Sequence, residues 1–251
     1  MGELAGAVAV ITGSSSGIGA AVAEAYAREG ADVVVNHPGP CERADAEAVV
    51  ARIAALGCAA LAVEADVSTE AGAQALYDAA MRRFGRIDVL VNNAGIAAAS
   101  PVHETPVESF DRHLAVHLRS TFLMTRLVLP QMYARDSGRI VNTASQLAYK
   151  GAPGFAHYTA AKGAILSFTR SLALEIGRRG INVNCVAPGA TRTPMTAGLS
   201  PDVMAAIEAA IPKGRIAEVA DVVPAYVFLA SAKSRHFQGQ CLSPNGGDVF
   251  L

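Results

Sequence analysis

Tyr158 and Lys162 stand four residues apart in Phe155-Ala156-His157-Tyr158-Thr159-Ala160-Ala161-Lys162, and their types and spacing suit proton chemistry. The surrounding residues are small and helix-favouring and lead into an amphipathic run ending near Gly177, so both side chains fall on one helical face. A phenol has an ordinary pKa of about 10, and a fixed ammonium within a few ångströms lowers it toward neutrality. Lys162 is placed to supply that charge. Upstream, Arg139-Ile140-Val141-Asn142-Thr143-Ala144-Ser145 reads as a buried strand that ends at Ser145, which brings a hydroxyl toward the same point. Each feature also has an ordinary structural reading. A lysine stem can cover a tyrosine ring on a surface, and a serine after a strand can satisfy a turn. Their setting decides between the two.

That setting begins near the amino terminus. Ala7-Val8-Ala9-Val10-Ile11 is a short apolar run of the kind covered on both faces of a sheet, and Thr12-Gly13-Ser14-Ser15-Ser16-Gly17-Ile18-Gly19 follows at once. Helical apolar spacing then runs over residues 20–28. In the order strand, glycine turn, helix, Gly13 makes the tight turn and Gly17 lets a pyrophosphate approach the backbone. Gly19 lets helix and strand pack closely, and Ser15, Ser16 and Ile18 offer backbone and hydroxyl donors at the helix start. The second strand, residues 32–36, ends at Asn36-His37, where dinucleotide sites often carry an acid for the adenosine ribose. No carboxylate stands there to repel a ribose phosphate, so NADP(H) is the expected cofactor. Arg43 lies some way along beside Glu42, which leaves NAD(H) as the alternative.

The pattern repeats. Residues 59–65 form a third strand that delivers Asp66-Val67, where a carboxylate can bond an adenine amino group or, with Ser68, cap the helix running to Phe84. Residues 87–91 form a fourth strand leading to Asn92-Asn93-Ala94-Gly95, a small-residue turn suited to a close ribose. Thr105-Pro106 opens a helix whose later part, residues 110–132, is apolar around much of its circumference, as are residues 160–176. A helix with two apolar faces needs a second partner, so both are expected to pack on another subunit. Residues 181–187 form a further strand before Pro188-Gly189, with Thr191 and Thr193 placed to bond a carboxamide. Ser200-Pro201 caps a short helix within a segment, 194–212, suited to a lid over substrate or to a packed surface helix. Gln146 and Met195 are the expected substrate contacts.

Length and composition bound the rest. A chain of 251 residues, 51% hydrophobic, suits a single α/β domain over 1–251 with one large core. Its 21 basic and 22 acidic residues are scattered and nearly balance, which argues against a nucleic-acid partner. No basic region followed by an apolar stretch opens the chain, and no apolar segment is long enough for a bilayer, so a soluble cytoplasmic protein is expected. Cys41, Cys58, Cys185 and Cys241 are dispersed, which suggests neither a metal site nor a disulfide framework.

Taken in order, Thr12 to Gly19, Asp66-Val67, Asn92 to Gly95, Ser145, Tyr158 with Lys162, and Pro188-Gly189 make the chain resemble a short-chain dehydrogenase/reductase over essentially its whole length. Together with Leu242-Ser243-Pro244-Asn245-Gly246-Gly247, they place it near 3-oxoacyl-carrier-protein reductases and sugar or polyol dehydrogenases. The resemblance implies a Rossmann-like, doubly wound parallel sheet of about seven strands flanked by helices, and a homotetramer built on the two apolar helices. It implies that Tyr158 is the general acid or base, that Lys162 lowers its pKa and holds the nicotinamide ribose, and that Ser145 donates to the substrate oxygen. Asp66 and Asn93 match cofactor-contacting positions. The substrate implied is a small or acyl-chain ketone or the corresponding secondary alcohol. The rivals are an NAD-dependent sugar or polyol dehydrogenase and a nucleotide-binding regulator without catalysis.

There is one departure. Ala115-Val116-His117-Leu118 carries His117 where the family usually has an asparagine that helps hold a water between the active-site lysine and solvent. If the backbone carbonyl does that work, His117 serves unchanged; if the side chain does, a histidine pH dependence follows. A packed histidine with no part in the chemistry is the third reading.

Overall fold

The strand β1 (Val8–Ile11) is buried at all four positions because it lies inside a parallel sheet with helices on both faces. In this computed structural model, which describes residues 2–250, the sheet has seven strands in the order β3-β2-β1-β4-β5-β6-β7. The others are β2 (Asp32–His37), β3 (Ala60–Glu64), β4 (Val89–Asn92), β5 (Gly138–Thr143), β6 (Ile181–Val186) and β7 (Cys241–Leu242). All six pairings are parallel. Strand order reverses between β1 and β4, and at such a switch point the loops beyond the carboxyl ends part to leave a crevice.

Alternate residues of each strand feed two helical layers. Ala9, Ile11, Val33 and Val35 pack with Tyr26 of α1 (Gly17–Arg28), Val49 of α2 (Arg43–Ala55) and Tyr226 of α9 (Val219–Ala230). Val10, Val34, Leu90, Ile140 and Val183 pack with Leu76 of α3 (Glu70–Phe84), Met124 of α5 (Ser120–Arg135) and Ile176 of α7 (Ala156–Ile176).

Two local expectations are corrected. Neither Asp66 nor Ser68 caps α3; Thr69 does, its side chain accepting from Gly72 N. The long helix expected after Thr105-Pro106 is α4 (Val107–Leu114), a π turn at Ala115–Arg119, and then α5. A π turn inserts a residue and advances the helical phase by about 100°. Dispersed in sequence, Cys185 and Cys241 are direct register partners across β6 and β7, both as free thiols. Two further short helices are α6 (Leu147–Lys150) and α8 (Pro201–Ala210), the latter capped by Ser200 as expected.

Phe110 and Phe122, on α4 and α5, are 41% and 47% exposed, and Leu174 on α7 is 88% exposed. The second apolar faces expected of these helices are therefore uncovered in a single chain. Among the described residues no helix is long and apolar enough to cross a membrane.

Candidate active site

The glycine turn is built for close approach. Gly13 and Gly17 take left-handed φ values of +59° and +56°. A Cβ on Gly13 would stand 2.9 Å from the Ala94 backbone, and one on Gly19 would collide with the Gly13 carbonyl and the Asn93 amide. The first turn of α1 thus opens on a cradle with no side chain in it, which fits a dinucleotide pyrophosphate. Thr193 faces the same turn, 3.6 Å from where a Gly17 Cβ would stand.

Thr12, passed over as a site residue, locks this region. Its buried Oγ1 accepts from Asn93 N at 2.9 Å and Ala94 N at 3.0 Å, joining the glycine turn to the loop after β4. Asn93 Nδ2 donates back to the Thr12 and Gly13 carbonyls at 3.0 and 2.9 Å. Asn93 therefore holds the cradle's shape. Its position immediately before the first glycine was the available signal for Thr12, but its partners lie some 80 residues away.

At the adenosine end the expectation and the geometry part. Asn36 is buried, with Oδ1 accepting from Gly13 N at 3.1 Å and Nδ2 donating to Ala65 O at 2.9 Å. Buried His37 bonds Gly39 O at 2.8 Å through Nδ1. Both side chains are thus occupied with backbone. Asp66 takes Ser68 N and Oγ on one oxygen and Arg112 on the other at 3.2 Å. Partial burial pushes its carboxyl up, but the Ser68 hydrogen bonds and the Arg112 charge outweigh that and hold it below the usual carboxylate range. Val67 is buried beside it.

Ser145, Tyr158 and Lys162, the residues expected to move the proton, come together where β5 and α7 meet. Ser145, two residues past β5 and 7% exposed, is close enough to Tyr158 to oppose the effect of burial on its phenol, and its Oγ accepts from Leu147 N at 3.2 Å. Lys162 lies one turn along α7, 3% exposed, and its Nζ donates to Thr143 O at 2.6 Å and sits 5.8 Å from the Tyr158 ring centroid. The expected depression of the phenol is not what this geometry produces. Burial raises the Tyr158 pKa, the neighbouring Ser145 hydroxyl opposes that, and burial pushes the Lys162 ammonium down to about 7. An amine bonded to a backbone carbonyl and stripped of water is a weak source of positive charge.

His117 packs edge-on against Tyr158, ring centroids 5.3 Å apart, from within the π turn. Its Nε2 bonds Ile96 O at 2.8 Å, and its Cε1 and Nδ1 atoms face Gly95. Burial and then the Lys162 charge hold its pKa well below the ordinary histidine value. Two further buried histidines, absent from the sequence expectation, complete a cluster: His113 stands 6.0 Å from His117 and 4.2 Å from His157. Among the described residues, His113 Nε2 and His117 Nδ1 have no hydrogen-bond partner.

The remaining candidates divide. Gly189 is packed against Asn245 and Gln146, and the buried Thr191 donates to Gly189 O at 2.9 Å, so both shape the loop after β6. Pro188 O accepts from Gln146 N at 3.0 Å. Gln146 is buried and donates to Asp248 Oδ2 at 2.7 Å, whereas Met195 is 52% exposed. An apolar groove of about 800 Å³ between α1 and α9 touches Gly17 but none of Ser145, Tyr158 or Lys162, so volume alone does not mark the chemistry.

A family model described as enoyl-(acyl carrier protein) reductase matches residues 13–248. The chain belongs to the short-chain dehydrogenase/reductase family. It is 37% identical over 239 residues to a 3-oxoacyl-[acyl-carrier-protein] reductase of Staphylococcus aureus, covering 95% of this chain and 96% of the relative. It is 43% identical to the cis-4-hydroxycyclohexanecarboxylate dehydrogenase of Sinomonas cyclohexanicum, covering 98% of each. A solved structure described as a candidate NAD(P)-dependent gluconate 5-dehydrogenase of Beutenbergia cavernae, with NADP bound at low occupancy, superposes with a TM-score of 0.91 at 40% identity and 97% coverage of both chains. As a member of this family, the protein is an oxidoreductase that uses a nicotinamide cofactor.

Proposed function

We propose that the protein transfers hydride between a nicotinamide dinucleotide and a carbonyl or secondary-alcohol substrate, a small or acyl-chain ketone in the reductive direction. The observation that carries this is the meeting of Ser145, Tyr158 and, one turn along α7, buried Lys162, at the strand-end edge that also holds the glycine cradle. The bound cofactor supplies the hydride. Tyr158 gives its proton to the carbonyl oxygen, and Ser145 orients and polarises that oxygen by donating to it. Lys162 holds ribose hydroxyls, and Gly13, Gly17 and Gly19 admit the pyrophosphate. Asn93, Ala94, Gly95, Pro188, Gly189, Thr191 and Thr193 would hold the rest of the dinucleotide. The names of the relatives span acyl-carrier, hydroxycyclohexane and sugar-acid substrates, so a panel of ketones and alcohols with both cofactors is the direct test. Nicotinamide absorbance should change with at least one oxo or hydroxy compound. No turnover across the panel with both cofactors would overturn the reading.

His117 acts by position in this scheme, because a ring held neutral by burial has no charge to relay near pH 7. The pH–rate profile of His117→Asn is expected to overlay the parent from neutral pH upward. A break near the ordinary histidine pKa that disappears in the variant would show that the ring titrates during turnover.

We also place the protein in the cytoplasm as a homotetramer, with Phe110, Phe122 and Leu174 covered by neighbouring subunits. Light scattering at micromolar concentration should show an assembly larger than a monomer, and Leu174→Glu should reduce it.

A further inference from the structure

We infer that Glu42 selects the dinucleotide, accepting the adenosine ribose hydroxyls of NAD(H) and turning away the 2′-phosphate of NADP(H). This deepens the oxidoreductase reading and rests on it for the class of cofactor. The end of β2 lacks an acid, and its Asn36 and His37 side chains are occupied with backbone at 2.9–3.1 Å and 2.8 Å. The acid arrives from farther along the chain. The short turn Pro40–Glu42 folds back, and Glu42 accepts a hydrogen bond from Ser15 Oγ. Ser15 is buried between Gly13 and Gly17, so the carboxylate stands on the rim of the phosphate cradle, toward the strand whose end receives the adenosine half.

Charge and hydrogen-bond chemistry then point one way. An ionised carboxylate only accepts, which suits the two ribose hydroxyls as donors and repels a phosphate dianion at the same place. A cation could offset that repulsion, yet Arg43, the nearest in sequence, is bonded to Glu64 at 2.7 Å. Ser15 thus carries an acceptor, while Arg43 is engaged elsewhere. Absence of an acid at Asn36-His37 favoured NADP(H) when only the sequence was read, and the fold supplies the missing acid from Glu42.

Binding of NADH and NADPH to the purified protein, followed by nicotinamide fluorescence and by thermal shift, tests this without turnover. The parent should bind NADH about tenfold or more tightly than NADPH. Glu42→Gln, and separately Glu42→Ser, should tighten NADPH about tenfold and leave the cofactor-free melting temperature unchanged. A parent that binds NADPH more tightly, or variants that bind both dinucleotides in the parent's ratio, would overturn the assignment while leaving the oxidoreductase reading in place. Failure of the parent to bind either dinucleotide would overturn both.

Discussion

Tyr158→Phe is expected to lower kcat by about 10³-fold or more while leaving dinucleotide binding within a few-fold of the parent. The substitution removes one oxygen and keeps the ring. That ring is positioned by edge-on packing against His117 at 5.3 Å and Phe155 at 6.1 Å, and neither contact needs the hydroxyl. What is lost is the hydroxyl that the proposed mechanism uses as proton donor. The direction of the Tyr158 shift adds a pH signature. A phenol whose pKa is raised by burial is protonated throughout the neutral range, the form needed to protonate a carbonyl oxygen. Carbonyl reduction should hold steady across neutral pH, and alcohol oxidation, which needs the phenolate, should climb as the medium becomes alkaline. Initial rates in both directions check this, and an oxidation rate independent of pH would count against Tyr158 as the base.

Lys162→Met should lower kcat about 10²-fold and, unusually for a core substitution, raise the melting temperature of the cofactor-free protein below pH 7. Lys162 is 3% exposed, and burial takes its pKa from 10.5 to about 7. Keeping the charged form there costs on the order of 5 kcal/mol, since each pKa unit is worth about 1.4 kcal/mol. Losing the hydrogen bond to Thr143 O costs less, about 1–3 kcal/mol. Below about pH 7 the amine is charged in both folded and unfolded chains, and the folded state bears the whole penalty. Between about 7 and 10.5 the unfolded chain binds more protons than the folded one, so the contribution of this group makes stability rise with pH. Calorimetry across that window should show the rise in the parent and its loss in the methionine variant. A lower melting temperature for the variant at every pH would show that Lys162 supports the fold more than it burdens it. The penalty is tolerable because a buried amine beside the phenol is what the proposed chemistry requires.

Much of the architecture was legible because its signals are local. β1, the glycine turn and α1 are contiguous, and four-residue spacing is enough to put Tyr158 and Lys162 on one face of α7. Boundaries moved where side chains competed for the same backbone group. Thr69 won the cap of α3 because Asp66 was already closing its own turn onto Ser68. The π turn left no such trace, since an inserted residue changes helical phase without changing composition, yet it is the element that carries His117 to Tyr158.

The sequence by itself determined the alternation of buried strands and helices, the glycine cradle, and the candidate trio Ser145, Tyr158 and Lys162, because each depends on short-range periodicity or on one side chain's chemistry. Only the tertiary structure decided that Glu42 reaches Ser15, that Thr12 clamps the loop after β4, and that His113, His117 and His157 meet around the site. It also decided the electrostatics of the central pair. Whether an ammonium lowers a neighbouring phenol or is itself discharged depends on how much water the packed helices leave around it, and spacing along the chain carries no record of that solvent.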